Sequence, residues 1–201
     1  MKAKYLSPEE INAIFRRLSK DRRLVFSVAL ETGLRIGDVL KIKTRDLKQI
    51  APDALKIAYI AQKTKKKGSC ILKGQTAREL LFLAKFRRGF LWGSNAKCGH
   101  ITRQTAWNWF KEAAKAAEID VNGVSPHALR KSFAVKLLHE QGIEAAKTAL
   151  QHSDNATTAI YAYADVYAGK DPNAPVLWCQ VDQLVDLIAS RLRTDPPHPL
   201  E

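Results

Sequence analysis

Apolar residues recur at helical intervals along most of this chain, and the exceptions mark its other features. Ile11, Ile14, Phe15 and Leu18 share one face of a helix predicted over Pro8 to Lys20. Ser7-Pro8-Glu9-Glu10 starts that helix as a capping box with proline in the first turn. A more buried helix is expected from Arg22 to Glu31 through Leu24, Val25, Val28 and Ala29, with Gly33 placed to end it in the left-handed conformation. A short helix from Gly37 to Lys43 follows. Between Leu55 and Leu72 the period shortens. Leu55 to Ile60 and Ser69 to Leu72 flank the basic stretch Lys63-Thr64-Lys65-Lys66-Lys67-Gly68 and read as a β-hairpin. Helical spacing then returns over Thr76 to Arg88, Thr102 to Glu118, Pro126 to Gln141, Glu144 to Gln151 and Asn155 to Ala164. The predicted class is mainly α with a small antiparallel β-sheet (α+β). Residues 1–170 form the main domain and residues 171–175, with two prolines, a linker. An amphipathic helix over residues 176–192 carries Leu177, Val181, Leu184, Val185, Ile188 and Leu192 on one stripe, and residues 193–201 are a disordered tail.

Charge sharpens this picture. The 201 residues carry a formal net charge of +13, and it is one-sided. Residues 1–100 hold 23 Lys and Arg against 8 Asp and Glu, whereas residues 101–201 hold 10 against 12. Such an excess favours a polyanionic partner, most simply nucleic acid, because neutralising phosphates releases condensed counterions. Arg45, Arg103 and Lys111 are among many candidates for base contacts. No apolar run approaches the roughly 18 residues of a membrane span, and Met1 to Glu10 has no signal-peptide core. Cys70, Cys98 and Cys179 are too few and too scattered for a disulfide framework or a cysteine-rich zinc site. A cytoplasmic protein without a membrane partner is expected.

Four patches place reactive side chains where a plain core does not need them. Arg35, in Thr32-Gly33-Leu34-Arg35-Ile36-Gly37-Asp38, sits between apolar residues after a glycine turn. A partly desolvated guanidinium there fits a phosphate, or else a structural pair with Asp38 three residues on. His127 and Arg130, in Ser125-Pro126-His127-Ala128-Leu129-Arg130, share one helical face and offer a fixed cation beside a group that titrates near neutrality. Leu150-Gln151-His152 is followed nine residues after the histidine by Tyr161. Lys63 opens the basic hairpin turn. Taken singly, each is also compatible with packing or with a solvated surface.

In order, these strings resemble the tyrosine recombinase (phage integrase) family: T-G-L-R with an acid at the third following position, H-x-L-R, and L-x-H with a tyrosine nine residues on. The likeness runs from about Leu6 to Tyr163, across that family's catalytic domain. It implies that Arg35 and Arg130 clamp one DNA phosphate while Tyr161 attacks the phosphorus, giving a 3′-phosphotyrosyl link and a free 5′-hydroxyl. Lys63 matches the hairpin lysine that protonates the leaving oxygen, with Lys65, Lys66 and Lys67 as neighbours able to compete. His127 serves proton transfer, His152 hydrogen-bonds the phosphate, and Asp38 supports the first arginine. Gln151 stands where the family usually has glycine, and Lys131 where many members carry histidine. Tyr163 and Tyr167 are alternative nucleophiles. Two residues turn a helix by roughly 200°, so Tyr161 and Tyr163 do not face the same phosphate.

The implied reaction is site-specific DNA recombination without metal or nucleotide cofactor. The motifs hold no carboxylate cluster suited to two Mg²⁺, and the chain has no P-loop string. The expected partners are double-stranded DNA and further copies of the chain, a monomer in solution assembling as a tetramer on DNA. The C-terminal helix docks either on a neighbour or on its own core, and the source is a bacterium, phage or other mobile element. The helical domain that usually precedes the catalytic one has no counterpart in these residues, which implies weaker and more salt-sensitive DNA binding than a full clamp gives. The competing readings are a type IB topoisomerase and a DNA-binding protein without catalysis.

Overall fold

The computed structural model describes residues 5–62 and 65–137. The chain divides into two compact units between Phe133 and Ala134, and the first carries the sheet and nearly all of the described helices. Helix α1, Pro8–Arg16, begins as its sequence dictates: the Ser7 hydroxyl accepts from the Glu10 amide while the Glu10 carboxylate accepts from the Ser7 amide. It stops four residues short of the expected Lys20. Ser19 is extended (φ −61°, ψ 159°), and the chain restarts there as α2, Lys20–Thr32. Gly33 ends α2 at φ 66°. A Cβ at Gly33 would fall on the Phe133 ring, so both backbone angle and space demand glycine.

Helix α3 is a single turn, Ile36–Val39, shorter than the expected Gly37 to Lys43, and a 3₁₀ turn over Thr44–Asp46 follows it. The sheet has three antiparallel strands in the order β1 (Leu47–Ala51), β2 (Ala54–Ile60) and β3 (Lys67–Lys73). The β2–β3 hairpin is where the sequence puts it, with Ile60 opposite Lys67 and Leu55 opposite Leu72. Strand β1 is an addition. Its successive residues Lys48, Gln49 and Ile50 are all exposed, and its register shifts between Gln49 and Ala51, so it lacks the alternation that betrays a strand. Leu55, Ile57 and Leu72 point from β2 and β3 into the core.

Helix α4, Gly74–Lys85, buries Ala77 and Leu80, and α5, Arg103–Ala116, is N-capped by Thr102, whose side chain accepts from the Thr105 amide. Phe26 of α2 and Phe110 of α5 are fully buried with ring centroids 5.0 Å apart. A last described helix, α6, occupies residues 127–137. The expected helices over residues 144–151 and 155–164, and the linker, C-terminal helix and tail of residues 171–201, lie outside the described residues. No helix among the described residues is long and apolar enough to cross a membrane.

Candidate active site

Two turns build the cleft. At the end of α2 the Thr32 hydroxyl donates to the Val28 carbonyl and accepts from the Leu34 amide. The left-handed Gly33 then turns the chain so that Arg35, extended at φ −64° and ψ 140°, precedes α3. Leu34 is buried and Arg35 half-buried, so the guanidinium leaves the core where the backbone changes direction. At the second turn Ser125 and Pro126 lead into α6, where the Ala128 amide donates to the Ser125 carbonyl at 2.9 Å. Ala128 and Leu129 enter the core from α6 while His127 faces outward.

A cleft of about 430 Å³ is lined by Arg35, Asp38, His127 and Arg130 together with Gly37, Gln62 and Arg103. Arg130 is 5% exposed, and its guanidinium donates to the Gly33 carbonyl, 97 residues away in the chain. Arg130 is therefore tethered to the turn that carries Arg35 two residues after Gly33, and both arginines line the same cleft. A buried guanidinium anchored on a carbonyl keeps its rigid fork in one orientation.

Asp38, also 5% exposed, is used differently. Its Oδ1 accepts from the Gln62 amide at 3.0 Å, and the Gln62 side chain donates back to the Gly37 carbonyl. This exchange joins α3 to the residue that opens the hairpin turn. Among the described residues no Asp38–Arg35 ion pair occurs. Lys63, like His152 and Tyr161, lies outside the described residues, as do Tyr163 and Tyr167; Lys65, Lys66 and Lys67 are exposed.

The imidazole of His127 keeps an exposed edge, yet protein atoms crowd it. That burial, then the charges of Arg130, Lys131 and Arg35, pull its pKa below the ordinary histidine value. It is consequently neutral at neutral pH, with a ring nitrogen free of its proton. The Tyr59 hydroxyl is raised, by burial first and then by Cys70 and Asp38, against the opposing pull of Arg130 and Arg35. Burial pushes the Cys70 thiol up to about 12, so it is inert as a nucleophile.

Three residues at or near the cleft carry little signal in the sequence. Gln62 is marked only by its position beside Lys63. Arg103, a candidate for base contacts from sequence, stands at the first position of α5, its side chain packed against Gly37. Tyr59 carries none, since its alternating strand gives it an ordinary packing role.

The cleft combines two guanidiniums, one of them anchored on backbone, with an imidazole of lowered pKa and a tethered hairpin root, which suits binding a tetrahedral anion and moving a proton beside it. Among the described residues no group of three or more His, Cys, Asp or Glu side chains is disposed to hold a metal ion. A sequence model of the Phage integrase family matches residues 4–167. Tyrosine recombinase XerD of Haemophilus ducreyi is 31% identical over 132 residues, covering 65% of this chain and 41% of that protein. The crystal structure of XerA recombinase is similar with a TM-score of 0.68 and 25% identity, over 86% of this chain and 65% of that one. XerH site-specific recombinase, in a post-cleavage complex with palindromic difH substrate, gives a TM-score of 0.69 at 19% identity, over 89% of this chain and 54% of that one; this likeness concerns the fold. The chain thus spans less than half the length of the curated relative.

Proposed function

The chain belongs to the phage integrase family, and on that premise we propose that it cuts and rejoins double-stranded DNA at specific sites through a 3′-phosphotyrosyl intermediate. The observation that carries this reading is the tether from Arg130 to the Gly33 carbonyl, two residues before Arg35, with both arginines and a His127 of lowered pKa lining one cleft. Two guanidiniums lining one cleft match the non-bridging oxygens of one phosphate. They act most strongly when a pentacoordinate phosphorus gathers negative charge.

Tyr161 supplies the attacking oxygen. A phenol is almost wholly protonated at pH 7, so attack requires a proton acceptor or strong cationic neighbours. His127 takes the proton as the O–P bond forms, and His152 donates a hydrogen bond to a phosphate oxygen. As the bond from phosphorus to the 5′-oxygen breaks, Lys63 gives that oxygen a proton. Asp38 and Gln62, by fixing the residue before Lys63, set where the hairpin turn begins. Rejoining reverses these transfers, and the phosphotyrosyl bond conserves the energy it needs. Copies of the chain would assemble as a tetramer on DNA in the bacterial cytoplasm, encoded by the bacterium, a phage or another mobile element.

The test is covalent trapping on nicked duplexes carrying the end sequences of the element that encodes the chain, followed on a denaturing gel. The expected result is a protein–DNA adduct that disappears in Tyr161→Phe and persists in Tyr163→Phe. Loss only in Tyr163→Phe moves the nucleophile and keeps the reaction. Sequence-specific binding without any adduct overturns the catalytic reading.

A further inference from the structure

A second concavity, about 650 Å³ in volume, adjoins the cleft, and Asp38 lines both. Four of its lining residues are cationic: Lys41, Lys43, Arg45 and Lys67. Its two acids are already engaged by backbone. Asp38 accepts from the Gln62 amide, and Asp46 accepts from the Lys43 amide at 2.8 Å. Among the described residues none of the four cations pairs with a carboxylate.

The groove does not merely collect flexible lysines. Lys43 bridges Phe90 through the backbone, and its ammonium stands over the face of the Phe90 ring, 4.7 Å from the centroid. The other side of the arrangement is held by His100, packed edge-on to Phe90 at 4.8 Å while its Nδ1 bonds the Ile101 carbonyl at 2.8 Å. An aromatic face steadies an ammonium without neutralising it. The Lys43 charge is therefore fixed in place and still available. Lys41 and Arg45 flank it on one segment, and Lys67, at the start of β3, lines the same groove.

We propose that this groove is a phosphate-binding subsite for the DNA backbone beside the scissile phosphate, with Lys41, Lys43 and Arg45 as its contacts. The proposal rests on the functional reading above and deepens it. Cations in excess along an open groove suit a polyanion whose charges repeat along its length, and Asp38, a wall shared with the Arg35–Arg130 cleft, sets the groove beside that cleft and within reach of the same duplex. These contacts hold the backbone in register and carry no base information.

The probe is a 30-bp mixed-sequence duplex, whose affinity for the whole chain is measured by fluorescence anisotropy across a salt series. Each lost phosphate contact lowers the slope of log K against log salt by about 0.9. The variant Lys41→Gln/Arg45→Gln is expected to lower it by roughly twice that. Lys43→Gln is expected to lower it by roughly one contact. The control Arg16→Gln/Lys20→Gln removes two exposed cations outside the groove and leaves the slope unchanged. Circular dichroism establishes that each variant is folded. An unchanged slope in the groove variants, or an equal fall in the control, overturns the subsite. The wild-type trapping assay reports separately on the reaction: an adduct with an unchanged slope rejects the groove alone, whereas no adduct rejects the catalytic reading.

Discussion

His127 shows how surroundings assign a role to a single side chain. Its pKa is depressed, so as pH falls the unfolded chain takes up the proton before the folded one does. Stability is therefore whole above the ordinary histidine value, roughly 6.5, and drains away as pH drops through it toward the lower folded value. His127→Gln should remove part of this acid sensitivity; thermal melts at pH 7.5 and 5.5 would show a smaller difference than in wild type, and equal differences would contradict the burial argument. Arg35 differs because its charge is constant and only its position matters. Arg35→Ala should slow adduct formation by about 10²–10³-fold, the loss typical of one fixed donor to a charged transition state. Duplex binding should change far less, since a single phosphate contact is one among several. Rates from single-turnover trapping, set beside anisotropy titrations, separate the two effects.

Among the elements, the junctions decide more than the helices do. The carboxylate of Asp38 is buried and joins α3 to the end of β2 through the Gln62 amide. Asp38→Ala leaves that amide without its acceptor and should cost about 1–3 kcal/mol. Asp38→Asn keeps an acceptor oxygen and should cost less, as urea titration would record. Phe110→Ala, which opens a void opposite Phe26, belongs to a costlier class at about 3–5 kcal/mol. Local rules identify the parts of such junctions that lie within a few residues of one another. The Ser7 capping box, the Gly33 turn and the β2–β3 hairpin are all legible in the sequence because each is settled by adjacent side chains. The break at Ser19 was hidden because Leu18 continues the apolar face of α1 past its real end. Strand β1 was hidden because it is held by pairing with β2 while its own residues face water. Gln62 and Arg103 reach the cleft by tertiary contact, Gln62 bonding a residue 25 positions away, and no spacing rule marks such a meeting.

Across the whole molecule, the charge asymmetry of the sequence takes a definite shape. Arg35, Arg103 and Arg130 line the cleft, and Lys41, Lys43, Arg45 and Lys67 line the adjoining groove. A duplex spanning both would meet enough cations for roughly 6–10 phosphate contacts, so its affinity should fall about 10³–10⁵-fold between 50 and 200 mM salt. Filter binding over that range checks this, and a shallow dependence would mean that the basic surface is not engaged as a unit. The bond from Arg130 to Gly33 also sets an order of events during synthesis. The Gly33 carbonyl waits 97 residues for the guanidinium that it holds. At 5–20 residues per second, a ribosome needs roughly 5–20 seconds to make that stretch. During that interval α3 to α5 are made, while the Arg130 guanidinium does not yet exist. On the proposed reading, a chain cut short before Arg130 keeps the basic groove but lacks both the second arginine and Tyr161, so a truncated product would occupy DNA without breaking it.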